Sequence, residues 1–151
     1  MTTVGDQPAD DDPSVAAARA FVAAVAWGEH HRVWDMLSKE GRSVVLRVAS
    51  KRGMDEGMSA RLRDGTAASS EREQFLTDLV NGLRADLEGS NLEGLDFEPD
   101  PAPEPGRCRV ILVAPMPASL SAGLPVGSVE LTEEAGEWRV ERLLPRPGVA
   151  R

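Results

Sequence analysis

Apolar positions along the chain change period once. From Ser14 to Leu87 they recur at spacings of three and four, as on helices with one buried face. After Gly89 they alternate or run together, as in strands. The first helix has Asp12 as N-cap and Pro13 at its first position. It runs through SVAAARAFVAAVAW with Ala18, Phe21, Val22 and Val25 on one face, and Gly28 suits the position just past its end. EHHRVWDMLS predicts a short second helix around Val33, Trp34 and Leu37. Ser38 caps the next, KEGRSVVLRVASKR, with Val44, Val45, Val48 and Ala49 as its apolar stripe and Gly53 as its stop. Asp55 caps EGMSARLR, which Gly65 ends. Ser70 to Glu73 spells a capping box ahead of Phe75, Leu76, Leu79, Val80, Leu83 and Leu87 at helical spacing, and Gly89 closes that helix.

The second half reads as strands. DFEPDPAPEPG is proline-dense and predicts a loop or an edge crossing. RCRVILVAP is β-branched and apolar, and GSVELTEEAGEWRVERLLP gives two alternating runs around Glu134, Ala135 and Gly136, the signature of a hairpin. PMPASLSAGLP is a long connection between them, and Leu92 to Phe97 predicts a further strand. The fold class is α+β, with N-terminal helices packed on a C-terminal curved antiparallel sheet. The domain organisation is a disordered acidic tail (1–12), a single α+β domain (13–145) and a flexible C-terminus (146–151).

Composition sets the limits on function. The 151 residues suffice for one domain with its own core. Cys108 is the only cysteine, so no intramolecular disulfide forms. With no basic start followed by an apolar run, and no stretch of membrane-spanning length, a cytoplasmic protein is expected. The net charge of -8 is local. It resides in Asp6, Asp10, Asp11 and Asp12 of the tail and in Glu93, Asp96, Glu98, Asp100 and Glu104 of the proline-rich segment, which leaves the body nearly neutral. Nothing resembles the basic stripe that a phosphate backbone needs, so nucleic acid is not an expected partner.

GxxxxGK[ST], GxGxxG, GxSxG and HExxH are all absent. No cofactor is expected. His30 and His31 are the only histidines, and as neighbours on a helix they point about 100° apart, so both are not expected to face one ligand. His31 and Asp35 lie four residues apart and form the one candidate catalytic pair; a solvated helix start is the plainer reading. Two histidines and a remote Cys108 lack zinc-site spacing, so no metal is expected. Cys108 alternates with Val110 and Leu112, which places it on the buried face of its strand. Lys39 to Asp64 holds seven bases against four acids, among them Arg42, Arg47, Lys51, Arg52, Arg61 and Arg63, a face for solvent, an anion, a partner or the acidic tail. Arg109, Glu130, Arg139 and Glu141 fall opposite the apolar face of the sheet, in position to pair across strands.

ARAFVAAVAWGEHHRVWDMLSKEGR resembles the first helical corner of the NTF2-like superfamily, which includes ketosteroid isomerases and SnoaL-like cyclases. GSVELTEEAGEWRVERLL resembles its last hairpin, with a Trp138-x-Val140 pattern. Together these cover about a third of the chain. The resemblance implies a cone-shaped fold in which a curved sheet and helices enclose a cavity. Trp27, Trp34, Met54, Met58, Phe75, Met116 and Trp138 would line it as a ligand-binding wall, with ordinary core packing as the alternative. It also implies dimerisation through the sheet, although the charged outer face argues the other way. Val44 to Leu87 is more helical than in compact members, and the early strand pair expected there is not evident. Enzymes of the family use an Asp or Glu base, often with a Tyr or Asp as oxyanion donor, and an Asp serves only if burial raises its pKa. This chain has no Tyr.

Three functional readings follow. The first is a non-catalytic NTF2-like domain that binds a small apolar ligand or a protein partner. The second is a SnoaL-like isomerase, cyclase or dehydratase, which needs a buried carboxylate from Asp35, Asp78 or Asp86. The third is a helical interaction domain that uses the basic helices. The absence of a convergent acid–base set favours the first.

Overall fold

The computed structural model describes residues 12–87, 92–99, 104–114 and 124–145. Residues 1–11 of the acidic tail, Gly89, the centre of the proline-rich segment, the connection after Ala114 (with Met116) and the C-terminus lie outside the described residues. Among the described residues five helices precede four strands: α1 (Pro13–Ala26), α2 (His30–Met36), α3 (Lys39–Lys51), α4 (Glu56–Asp64), α5 (Ser69–Asp86), β1 (Asp96–Pro99), β2 (Arg107–Ala114), β3 (Leu124–Glu134) and β4 (Glu137–Pro145). The strands form one antiparallel sheet in the order β1-β2-β3-β4. The chain is therefore α+β, with helices first and an open sheet last. No helix among the described residues is long and apolar enough to cross a membrane.

α1 lies across the inner face of the sheet and touches all four strands. Val15, Ala18, Phe21, Val22 and Val25 are buried against Val110, Leu112, Val129, Leu131 and Val140, a continuous apolar layer. Fully burying side chains of this kind contributes about 1.5–3 kcal/mol each, so this layer dominates stability. The start of α1 is capped as its sequence predicts: the Asp12 carboxylate accepts from Ser14 N–H at 2.9 Å, with Pro13 in the first turn. Gly28, Gly53 and Gly65 follow the predicted helix ends with positive φ.

The junction of α2 and α3 docks on the free edge of β4. Leu37 forms a parallel bridge with Val140, and the Ser38 N–H donates to Val140 O at 2.7 Å. Ser38 Oγ then accepts from Gly41 N–H at 2.8 Å, and Glu134 accepts from Lys39 N–H at 2.9 Å. One short segment thus joins sheet and helix layer while supplying partners for the orphan donors of a helix start.

The hairpin between β3 and β4 turns on Ala135 and Gly136, which have φ of 51° and 84°. Two consecutive positive values in a two-residue loop are the type I′ geometry that matches strand twist. Register irregularities sit between Leu112 and Val113 and between Glu130 and Leu131.

Four local expectations need correction. Of the expected α3 stripe Val44, Val45, Val48 and Ala49, Val45 packs partly buried against the core. Gly41 and Leu46 are the buried positions, and Val48 is 43% exposed. Docking on β4 fixes the rotation of the helix at its first turn, and along the face that carries Gly41 cover falls from half-buried Val45 to exposed Val48. α5 begins two residues before the expected box: its N-cap is Ala68, and Glu71 reaches back to the Ala68 N–H at 3.2 Å. Leu92–Gly94 is a 3₁₀ turn, so β1 is shorter than the run from Leu92 to Phe97. On the outer face Arg109 and Glu130 pair across strands at 3.5 Å, and Arg107 takes Glu141 at 4.0 Å. Arg139 instead pairs along its own strand with Glu137 at 2.8 Å and donates to Asp35 O at 2.5 Å.

Candidate functional site

Two features bring chemistry-bearing side chains together, and both lie along the seam between α2 and α5. The seam is set by Trp34 and Phe75, whose rings meet edge to face with centroids 5.6 Å apart. Trp34 is buried through its position on the inner side of α2, and Phe75 is half-buried beside Leu76, the first buried position of α5.

The first feature is a groove of about 230 Å³ walled by α2 to α5. Trp34, Phe75, Leu62, Leu76 and Ala67 give it an apolar floor. Its lining also carries four guanidinium groups (Arg42, Arg61, Arg63 and Arg72) and two carboxylates, Asp35 and Asp64. The arginines are not equivalent. Arg61 forks onto Glu71, with Nη2–Oε2 at 2.9 Å and Nε–Oε1 at 3.4 Å, while Nη2 also contacts Met58 Sδ at 3.7 Å. The Arg61 hydrogen bond, then the Ala68 N–H, hold the Glu71 carboxyl below its ordinary pKa. Arg63 faces the neighbouring Asp64 at 3.7 Å. Arg42 lies over the Trp34 ring, 5.1 Å from its centroid, and its Nε donates to Trp34 O at 3.2 Å. That contact orients the guanidinium and leaves its terminal nitrogens for another acceptor. Arg72 donates from its backbone N–H to Ala68 O at 2.9 Å, and its guanidinium has no bonded partner among the described residues.

The second feature is the cluster of His30, His31 and Glu73. His30 Nε2 stands 2.8 Å from Glu73 Oε1, and His31 Nε2 contacts Glu73 Oε2. The two rings lie 4.6 Å apart and tilted by 40°. His30 Nδ1 is 3.3 Å from Gly28 O. The hydrogen bond to Glu73 raises the His30 pKa; partial burial works against this, and Gly28 O and the Glu73 charge add to it. The same imidazoles, His30 first and then His31, hold the Glu73 carboxyl below its ordinary range.

These positions correct several expectations. The histidines do converge on one group, because rotation of each side chain overcomes the 100° between their backbone directions. The partner of His31 is Glu73, not Asp35. Glu73 was expected as a helix cap; since α5 starts at Ser69, its carboxylate is free to face α2. Asp35, Asp78 and Asp86 are all exposed, and Asp78 accepts from Gln74 at 3.0 Å, so none is the buried carboxylate that an isomerase-like mechanism requires.

The expected pocket wall is only partly assembled. Trp34 and Phe75 line the groove, and Met58 reaches it through Arg61. Met54 packs at the margin of the core. Trp27 is the C-cap residue of α1 and is 70% exposed, away from the groove. Trp138 lies half-buried near the hairpin end of β4, across from Glu133. Cys108 sits half-buried at the end of the apolar face of β2. Arg72 and Glu73 were missed as site residues, since their sequence signal is that of a helix start. No protein-family model, curated protein or solved structure matches this chain.

Proposed function

We propose that the chain is a non-catalytic binding domain whose groove between α2 and α5 takes a small organic carboxylate. The observation that carries this reading is the placement of Arg42 and Arg72 at an apolar floor of Trp34 and Phe75. A guanidinium held on an aromatic face presents its remaining donors in a fixed plane, the geometry that suits a carboxylate. The volume of about 230 Å³ is below the roughly 300–1,000 Å³ of sites for drug-sized ligands, so the ligand is small. Asp35 and Asp64 keep the net positive charge of the groove low, which favours one negative charge over a polyphosphate.

The NTF2-like reading is supported by the order of helices before sheet. The groove, however, lies among the helices rather than between helix layer and sheet. It holds no nucleophile and no buried acid–base pair, which favours binding over isomerase chemistry.

The test follows the Trp34 indole N–H resonance during titration with benzoate, succinate and inorganic phosphate. Benzoate should shift it saturably and phosphate should not. Arg72→Ala should weaken benzoate by roughly tenfold or more, the value of a charge-assisted hydrogen bond. Charge reversal at Arg47 and Lys51, which do not line the groove, should leave binding unchanged. The reading is wrong if no carboxylate moves the resonance, or if Arg42→Ala and Arg72→Ala bind as the parent does.

A further inference from the structure

We propose that His30, His31 and Glu73 form a binding site for a single divalent transition-metal ion of the zinc class. Gly28 O only accepts, so when His30 Nδ1, 3.3 Å away, bonds to it, Nδ1 carries the hydrogen. In a neutral ring this commits Nε2 to a lone pair. That lone pair faces Glu73 Oε1 at 2.8 Å, a second acceptor. Two acceptors at this distance hold together only with a cation between them, either a proton or a metal ion. The Gly28 carbonyl therefore does what outer partners do for metal-bound histidines: it fixes the tautomer and leaves the other nitrogen as ligand.

The donor atoms fit the same role. One ring nitrogen from each histidine and a Glu73 oxygen all lie within 4.8 Å of one another. A tetrahedral ion with bonds of about 2.0–2.2 Å holds its ligands about 3.4 Å apart. The carboxylate must retreat from hydrogen-bond distance by a fraction of an ångström, and Glu73 and His31 have room to do so, with side chains 51% and 48% exposed. Two imidazoles and one carboxylate suit zinc and its neighbours and disfavour magnesium and calcium, which take oxygen ligands. The exposed side of the cluster leaves a fourth position to water. A bound ion would tie the first turn of α2 to the second turn of α5, joining segments 42 residues apart.

Cobalt(II) replaces zinc in such sites and reports tetrahedral ligation through visible absorption. The full chain, free of any histidine tag, should take up one equivalent of cobalt with that spectrum, and zinc should displace it while millimolar magnesium does not. Glu73→Gln and His31→Gln should each lower cobalt affinity at least tenfold, exceeding or matching the about 10–100-fold typical of losing an outer partner. Zinc should raise the melting temperature of the parent and not of His31→Gln. A variant with Asp10, Asp11 and Asp12 changed to Asn should bind cobalt as the parent does. His31→Gln, at an exposed position, keeps the test intact should Glu73→Gln loosen α5. A featureless cobalt spectrum, or affinity unchanged in both site variants, overturns the proposal. Neither result bears on carboxylate binding in the groove.

Discussion

The backbone N–H of Ser38 donates to the carbonyl of Val140 at 2.7 Å, and this bond joins the helical layer to the last strand of the sheet. The Ser38 hydroxyl is buried with it and caps Gly41 N–H. Replacing Ser38 with Ala leaves the backbone bond in place and orphans the Gly41 donor. The expected loss is about 1 kcal/mol and at most about 2 kcal/mol, read as a lower denaturation midpoint with an unchanged slope.

Gly41 is closer still to the strand. A Cβ at this position would sit 2.7 Å from Val140 O and 3.0 Å from Glu141 O, both backbone atoms. Alanine improves helix propensity by about 1 kcal/mol, yet α3 must then lift from β4. Gly41→Ala should therefore destabilise by about 1–3 kcal/mol, the range for overpacking. A gain in stability, measured by urea denaturation, would show that the helix shifts at no cost.

Ala135 occupies the left-handed region at φ 51° without the freedom of glycine. Asn at the first position of an Asn-Gly type I′ turn tolerates that region far better. Ala135→Asn should stabilise by about 0.5–1 kcal/mol and raise the melting temperature by a few degrees, about 2–4 °C per kcal/mol at this size. Differential scanning calorimetry checks it.

Glu73 and its histidines give stability a dependence on pH in the metal-free protein. His30 has a raised pKa, so its contribution is complete below the unfolded histidine value and fades as pH climbs through the higher folded one. Glu73 has a lowered pKa, so its contribution is complete above the unfolded glutamate value and fades as pH falls through the lower folded one. The window lies between the ordinary values of about 4.3 and about 6.5. With a chelator present, the difference in melting temperature between parent and Glu73→Gln should be widest there and narrow on both sides. A difference that stays flat from acid to alkaline pH means the pair does not form in solution.

What the sequence made legible was local. Asp12, Ser38 and Asp55 cap helices because each bonds an N–H two or three residues away, and such a contact depends on nothing else in the fold. The hairpin was legible for the same reason. The α3 stripe was misread because its burial depends on where Val140 of β4, 99 residues later in the chain, meets Gly41. Glu73 was misread because a Ser-x-x-Glu pattern fits a cap equally well one turn inside the helix, and the fork between Arg61 and Glu71 holds the true start in place. The histidine cluster had no local signal at all, since Glu73 reaches it only through the packing of Trp34 on Phe75.

The bridge between Leu37 and Val140 has a further effect on how copies of this chain meet. An open sheet offers two rows of unsatisfied backbone groups that invite strands from other molecules. Here the β4 row is occupied at its middle by the α2–α3 junction. The opposite row belongs to β1, four residues long, with exposed Asp96 and Glu98 and ending in Pro99, which lacks a donor. One side is occupied at its middle and the other is short, acidic and proline-ended, features that disfavour edge-to-edge strand pairing.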